Sequence, residues 1–148
     1  MEDAQKKSDA AESKLTSYEK LLSAYEAYTR DDVDAAGSAL ESVSEDDLTD
    51  SAKTIYNDVN AKVNEKYLAS MYQEGYSAYS KGDYQTAIEK LSKVVEIDET
   101  YQSGNSVYYL AQSYRRSDDT ENAKIYYRKV LEQVPGTQRG SVAKAFLQ

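Results

Sequence analysis

The sequence predicts an all-α fold, arranged as a short α-solenoid of helical-hairpin repeats with a long central helix and an N-terminal helical extension. The 148 residues include one Pro and six Gly, a composition that favours helices over turn-rich sheets. A pattern of helix, tight corner and helix recurs three times along the chain. We expect residues 1–49 to form a degenerate helical hairpin with a stalk-like start, and residues 50–148 to form a long helix, two repeats and a C-terminal capping helix.

The N-terminal extension carries a heptad stripe. One series of small or aromatic side chains recurs every seven residues, and a second series is interleaved with it: Ala4, Ala11, Tyr18 and Tyr25, then Ser8, Leu15, Leu22 and Thr29. The stripe is weak in its first two turns, where it holds only Ala and Ser. The pattern is compatible with a solvated helical stalk or a coiled coil, and the weak start favours the stalk.

The three hairpins share a corner. Residues 24–36 read AYEAYTRDDVDAA, residues 75–87 read GYSAYSKGDYQTA, and residues 111–123 read AQSYRRSDDTENA. Each copy begins with Gly or Ala and ends in Ala, with an Asp four residues earlier: Asp32, Asp83 and Asp119. We expect the Asp to accept backbone N–H bonds and cap the second helix. The small residues at either end of each stretch, such as Gly75 and Ala87, mark where paired helices cross closely.

The middle copy could instead be a phosphate-binding loop or a linker. A phosphate loop has the form GxxxxGK[ST] between a strand and a helix. In this sequence an Asp follows Gly82, and the segment before it has a helical pattern. Apolar or aromatic residues also follow each closing Ala at four and seven residues, which is one face of a helix. The pattern therefore favours a helical corner.

These residues resemble the tetratricopeptide repeat family, in particular its bacterial members. The resemblance rests on two groups of residues: Gly75, Tyr79, Gly82-Asp83-Tyr84, Ala87-Ile88, Leu91 and Val94, then Leu110-Ala111, Tyr114, Ala123, Tyr127, Val130 and Pro135. It is strong over about residues 70–137 and weaker over 17–47, where we expect Gly37 to interrupt the second helix. The second and third copies lie 36 residues apart against a family period of 34, and we expect the excess in the connection Thr100–Gly104.

Two further helices are expected. Residues Asp50 to Ser80 contain no Pro and a single Gly, so we expect one long helix whose first half packs on the N-terminal hairpin. Thr137-Gln138 can start a last helix, in which Val142, Ala143, Phe146 and Leu147 form one apolar face. Such a face is typical of a cap on a solenoid.

The composition argues against most catalytic and metal chemistry. The chain has no Cys and no His, which removes the commonest nucleophile–base pairs and transition-metal ligands. The acidic run at Glu45-Asp46-Asp47 lacks the spacing of a calcium loop. The net charge of -8 opposes nucleic-acid binding. We therefore expect no catalytic residue, cofactor or metal, and no nucleic-acid partner.

The family resemblance implies a binding groove on the first helices of the repeats. Carried onto this sequence, the groove would be lined by Tyr72, Tyr76, Asn105, Tyr108, Gln112, Arg115 and Arg116, with Tyr79 either packed or at its edge. Tyr and Arg are residue types that anchor interfaces. The positions at which the family's carboxylate-clamp members carry Lys and Asn are largely Tyr in this sequence, so recognition of a chaperone tail is not supported.

We therefore expect a non-enzymatic module that binds a protein or peptide in the groove. The alternative is a structural spacer or assembly component of a bacterial cell-envelope protein. The C-terminal half, ending VPGTQRGSVAKAFLQ, resembles repeat proteins of that setting, and the stalk-like start and the lack of Cys agree with it. No apolar run approaches the length needed to span a bilayer, so we expect no direct membrane insertion. For localisation, we expect the extracytoplasmic soluble part of a bacterial membrane-anchored protein, with a cytoplasmic protein as the alternative.

Overall fold

The computed structural model describes residues 2–148, which form seven α-helices and two short 3-10 turns without any strand. The helices are α1 (Glu2–Thr29), α2 (Val33–Glu41), α3 (Asp50–Ser80), α4 (Tyr84–Ile97), α5 (Asn105–Arg116), α6 (Thr120–Gln133) and α7 (Gln138–Leu147), with 3-10 turns at Glu45–Asp47 and Tyr101–Gly104. The all-α repeat architecture predicted from the sequence is confirmed. The long helix also has the predicted bounds, because nothing between Asp50 and Ser80 breaks it.

The chain divides into two compact units, Met1–Tyr67 and Leu68–Gln148. The boundary between them falls inside α3, so the first part of this helix belongs to one unit and the remainder to the other. The division expected from the sequence, between residues 49 and 50, separated the degenerate hairpin from the rest of the chain and stays a prediction.

The first unit is built from α1, α2 and the start of α3. Its core consists of small and aliphatic side chains together with one aromatic ring: Leu21, Ala24, Ala27, Ala36, Leu40, Leu48, Ala52, Val59, Val63 and Tyr67. Residues 3–16 of α1 are exposed throughout, as a solvated stalk would be. The 3-10 turn is tied to α1, because the hydroxyls of Ser13 and Ser17 donate to the Asp47 carboxylate at 2.8 and 2.9 Å.

Gly37 does not interrupt the second helix, so that expectation is wrong. Helix α2 runs unbroken through it from Val33 to Glu41. A Cβ atom on Gly37 would lie 2.6 Å from Cδ2 of Tyr67, so the glycine gives the tyrosine ring room to pack against the helix. The close approach of a ring on α3 outweighs the low helix propensity of glycine.

All three corners adopt the same backbone conformation. The second corner residue is left-handed in each, with φ of 61° at Asp31, 82° at Gly82 and 62° at Asp118. The next N–H then donates back across the turn, at 2.9 Å from Asp32 to Ala27, 2.8 Å from Asp83 to Ala78 and 2.9 Å from Asp119 to Tyr114. These bonds close the first helix of each hairpin in a Schellman motif.

The three aspartates cap the second helices, as the sequence predicts. The Oδ1 atoms of Asp32, Asp83 and Asp119 accept hydrogen bonds from the backbone N–H groups of Ala35, Thr86 and Asn122, respectively, each at 3.2 Å. Each bond satisfies a backbone donor that has no partner inside the helix. A side-chain hydrogen bond with Thr86, together with this backbone bond, lowers the pKa of Asp83.

The second unit has a continuous core from α3 through α7. Its fully buried members share small or branched side chains and one tyrosine: Ala87, Leu91, Val94, Val107, Leu110, Ala111, Ala123, Tyr127, Val130 and Ala143. A Cβ atom on Gly75 would lie 2.7 Å from Cγ of Leu91, so α3 and α4 are in close contact at this position. Burying a side chain such as Leu91 stabilises the fold by about 1.5–3 kcal/mol.

The last two connections position α5 and α7. Between α4 and α5, Gln102, Ser103 and Gly104 all have positive φ, which bends the chain sharply in the connection where the two extra residues were expected. Thr137 caps α7 by accepting the N–H of Gly140 at 3.1 Å. A Cβ atom on Gly140 would lie 2.3 Å from the carbonyl oxygen of Val134, so α7 crosses the preceding loop at backbone contact.

Candidate functional site

The second unit carries a surface made mainly of tyrosine rings, which we call the tyrosine groove. Its six rings come from α3, from the connection that follows α4, and from α5: Tyr72, Tyr76, Tyr79, Tyr101, Tyr108 and Tyr109. On α3 they recur at spacings of four and three residues, which places them on one face of the helix. Helices α3 and α5 are the first helices of two successive hairpins, so the rings of both line one surface.

The rings contact one another in an unbroken series. Tyr72 stacks on Tyr76 with centroids 6.2 Å apart and meets Tyr101 edge-on at 5.8 Å. Tyr109 lies at the centre of the series, 4.9 Å from Tyr76, 5.2 Å from Tyr79 and 5.3 Å from Tyr108. Edge-on and offset contacts at these distances are favourable, so the rings hold each other in place.

Two arginines lie against aromatic rings beside the groove. The Arg139 guanidinium carbon of α7 is 5.5 Å from the centroid of Tyr108. The Arg115 guanidinium carbon of α5 is 5.3 Å from the centroid of Phe146. Each contact is within the range of a cation–π interaction and leaves N–H donors available at the rim of the guanidinium. Arg116, the last residue of α5, is exposed.

Gln112 of α5 links its own helix to α3 and α6 through hydrogen bonds. Its carboxamide oxygen accepts a hydrogen bond from the Tyr127 hydroxyl of α6, and its Nε2 donates to the Tyr79 hydroxyl of α3 at 3.4 Å. The first of these bonds satisfies the hydroxyl of Tyr127, whose side chain is completely buried. Gln112 thus positions Tyr79 and Tyr127 and is half-buried itself.

Burial favours the neutral form of several rings. It raises the pKa of Tyr72, Tyr108 and Tyr127 above the ordinary value, and hydrogen bonding or nearby arginines oppose it only in part. At Tyr72 the opposing hydrogen bond comes from Asn105, whose buried Oδ1 has no partner among the described residues. The groove therefore presents hydroxyl donors that stay protonated at neutral pH.

A depression of about 420 Å³ opens at the α7 end of the groove. It is lined by Tyr108, Tyr109, Thr137, Gln138, Arg139 and Val142. One wall is aromatic, one is polar, and Arg139 supplies a positive charge. Such a depression can accept a side chain or a chain end of a partner that bears an acceptor group.

The seven residues expected in the groove have different environments in the structure. Tyr72, Tyr76 and Tyr108 belong to the ring series, and Tyr76 is exposed by 43%. Asn105 and Gln112 are half-buried and engaged with tyrosine hydroxyls, whereas Arg115 and Arg116 are exposed. Their assignment as contacts for a partner stays a prediction.

Three contributors were missed from the sequence: Tyr101, Tyr109 and Arg139. Tyr109 directly follows Tyr108, so a spacing of three and four residues along α5 selects one of the pair and skips the other. Tyr101 lies in an irregular turn, and Arg139 lies on a helix that had been assigned only a capping role. The high tyrosine content, fifteen residues in all, was the signal that could have located the first two.

A metal-binding group and a membrane-spanning helix are both absent among the residues that the structure describes. From residue 2 to residue 148, no group of three or more His, Cys, Asp or Glu side chains is placed to hold a metal ion. Within the same range, none of the helices combines the length and apolar character required to cross a bilayer.

Comparison with known proteins identifies the repeats. The family model described as tetratricopeptide repeat matches residues 69–98 and 106–137. Over 78 residues the chain is 31% identical to the photosystem I assembly protein Ycf3 of Prochlorococcus marinus, a match that covers 52% of this chain and 44% of that relative. No solved structure matches the chain. The matched segments include both hairpins that form the groove, so residues 69–98 and 106–137 are tetratricopeptide repeats.

Proposed function

We propose that the second unit is a non-enzymatic module that binds a segment of a partner protein along the tyrosine groove. The observation that carries the proposal is the unbroken series of six tyrosine rings, five on the first helices of the repeats and Tyr101 in the turn before α5, with Tyr76 exposed by 43% at its outer surface. Several of the rings also pack on the core, and Tyr79 contacts Tyr84 of α4, but the outer face of the series stays exposed at Tyr76. It is available to an incoming chain.

Tyrosines suit this role for physical reasons. Each ring offers a large apolar area and has few rotatable bonds, so little conformational entropy is lost when a partner packs on it. The ring contacts around Tyr109 fix several side chains before any partner arrives. A preordered surface lowers the entropic cost of association.

The charges beside the groove favour an acidic partner segment. Arg139 lies against Tyr108 of the groove, Arg115 and Arg116 end the helix that carries Tyr108 and Tyr109, and residues 101–148 contain seven basic and four acidic side chains. A carboxylate reaching the depression beside Arg139 would gain a charge-assisted hydrogen bond. We therefore propose that the partner presents a carboxylate close to an apolar side chain.

The repeats and the relative support an interaction or assembly role in broader terms. Tetratricopeptide repeats occur in proteins that bind other proteins, and the relative from Prochlorococcus marinus is named as an assembly protein. We propose the same broad role for this chain. The proposal does not extend to the particular partners of the relative.

A peptide selection tests the groove. The full-length protein is used to select binders from a random peptide library, and the affinity of a selected synthetic peptide is then measured by calorimetry. We expect the variant Tyr76→Ala/Arg115→Ala to weaken binding at least ~10-fold, since both substitutions remove interface anchors. The selected peptides are expected to be rich in Asp or Glu.

The matched control substitutes the same residue types away from the groove. Tyr126→Ala/Arg128→Ala changes a tyrosine and an arginine of α6, and we expect it to leave the affinity for the peptide unchanged. Equal affinities of the wild-type protein and the groove variant, with both variants folded by circular dichroism, would show that the groove is not the binding site.

A further inference from the structure

The first unit carries on α1 an apolar strip that its own fold covers only at Tyr18, which is half-buried and accepts the Thr49 N–H on its hydroxyl at 2.9 Å. The strip consists of Leu15, Tyr18, Leu22 and Tyr25, and we call it the heptad strip. Leu15 is exposed by 60%, Leu22 by 64% and Tyr25 by 50%. The residues are spaced by three, four and three positions, which is the a/d spacing of a coiled coil.

The strip is separate from the face that α1 uses within the chain. The buried residues of this helix are Ser17, Leu21, Ala24 and Ala27, and α1 packs on α2 and on the 3-10 turn, where Ser17 is hydrogen-bonded to Asp47. Beside the strip, Ile55 of α3 is exposed by 51% and helps to line an apolar groove of about 510 Å³. A second helix laid on the strip would cover Leu22, Tyr25 and Ile55 together.

The charges that flank the strip specify which helix fits. With Leu15 and Leu22 at a positions, Lys7 and Lys14 occupy g positions and Glu12 and Glu19 occupy e positions. In a parallel coiled coil, a g residue meets the e residue five positions later on the partner helix. Lys7 would then meet Glu12 of the second copy, and Lys14 would meet Glu19.

An antiparallel arrangement reverses this complementarity. There the e positions of the two helices face each other, and the three e positions in the stretch are glutamates: Glu12, Glu19 and Glu26. Like charges at these sites oppose association. Among the described residues, no ion pair within the chain engages Lys7, Lys14, Glu12 or Glu19, so all four are available to a partner helix.

We propose that the heptad strip binds a second copy of this chain, with the two α1 helices parallel and in register. The pairing is isologous, so each opposite-charge contact occurs twice about the twofold axis. Only two heptads carry large apolar side chains, because Ser8 and Ala11 occupy the strip positions before Leu15. The dimer is accordingly weak and depends on protein concentration.

Sedimentation equilibrium of the full-length protein tests the association. We expect a monomer–dimer equilibrium within concentrations up to ~500 μM, where even a weak specific dimer is populated. Leu22→Glu should abolish the dimer by placing a charge at an a position. Ser23→Glu adds the same charge to the neighbouring exposed residue, off the strip, and should leave the equilibrium unchanged.

A charge exchange tests the parallel register. Lys14→Glu and Glu19→Lys should each weaken the dimer roughly 10-fold, because each turns two attractive contacts into repulsive ones. The double variant Lys14→Glu/Glu19→Lys restores opposite charges and should recover most of the wild-type affinity. Recovery would not follow if the two positions did not meet across the interface.

Cross-linking provides an independent readout, because the chain contains no native cysteine. Under mild oxidation, Ala11→Cys at a d position should form an intermolecular disulfide, whereas Lys6→Cys on the outer face of the helix should not. A protein that stays monomeric at all these concentrations overturns the proposal. So does a dimer that Leu22→Glu leaves intact, since it would use another surface.

Discussion

Ala87 is completely buried on α4, one turn before Leu91, whose side chain lies against Gly75 of α3. The equivalent alanines of the other hairpins, Ala36 and Ala123, are also without exposed surface. At each of these positions a methyl group fills the space between two helices. The identity of one small residue therefore sets how closely two helices can pack.

Replacement of Ala87 tests this packing. Ala87→Arg forces a long charged side chain into a site with room for a methyl group, and we expect it to lower the free energy of unfolding by about 3 kcal/mol or more. The melting temperature, followed by circular dichroism, should fall by roughly 10 °C. Glu89→Arg introduces the same side chain at an exposed position of the same helix and should melt close to the wild type. Similar melting of the two variants would contradict the assigned repeat register.

At the scale of single helices, tertiary contacts and local preference disagree at one place. Glycine lowers helix stability by about 1 kcal/mol relative to alanine in an exposed helix interior. Gly37 nevertheless occupies the middle of α2, and the ring of Tyr67 fills the space that its missing side chain leaves. The packing of this ring offsets the low helix propensity of the glycine.

The variant Gly37→Ala distinguishes these two effects, because they change the free energy of unfolding in opposite directions. Propensity alone would raise the free energy of unfolding, whereas the contact of the new Cβ with Tyr67 should lower it by about 1–3 kcal/mol. Urea denaturation gives the difference directly. Ser38→Ala changes the next, exposed residue of α2 and should be neutral or slightly stabilising. A stabilised Gly37→Ala protein would show that the ring does not pack as described.

Gly37 also shows where prediction from the sequence reaches its limit. The bounds of α3 and the aspartate caps follow from local signals: the absence of breakers between Asp50 and Ser80, and the recurrence of Asp32, Asp83 and Asp119 at one place in each repeat. The partner of Gly37 is thirty residues away along the chain. No local pattern distinguishes a glycine that breaks a helix from one that admits a distant ring.

The groove was predictable to a similar extent. The resemblance to the repeat family implied Tyr72, Tyr76 and Tyr108 as groove residues on the first helices of the repeats, and the structure brings these rings into one series. The resemblance could not select Tyr109, the residue at the centre, because a helix face is wide enough to include two successive positions. The role of Arg139 depends on how α7 crosses the preceding loop, which is a tertiary property.

Across the whole molecule, tyrosine is the dominant aromatic residue. The chain contains fifteen tyrosines, one phenylalanine and no tryptophan. Burial raises the pKa of a subset of these tyrosines: Tyr56, Tyr72, Tyr108, Tyr126 and Tyr127. Because the folded protein disfavours the charged form of these tyrosines, its free energy of unfolding depends on pH in the alkaline range.

A spectroscopic titration measures this linkage. Because tryptophan is absent, absorbance near 295 nm reports tyrosinate alone, and we expect the folded protein to titrate in part above the ordinary tyrosine pKa of about 10. The unfolded chain loses its tyrosine protons at a lower pH than the folded protein does. The contribution of these tyrosines to the free energy of unfolding should therefore be complete below about pH 10 and decrease as the pH rises beyond it. In strong denaturant the rings should titrate together near the ordinary value. A single folded-state transition at that same value would contradict the burial.

The left-handed corners at Asp31, Gly82 and Asp118 have a consequence for how fast this protein reaches its native state. Each corner joins two helices that are adjacent in the chain and pack on each other, so contact requires the closure of only a short loop. The entropy lost in closing such loops is small, and helical proteins dominated by local contacts fold in microseconds to milliseconds. Each hairpin can therefore serve as a starting point, and the time spent with apolar surface exposed during synthesis is correspondingly short.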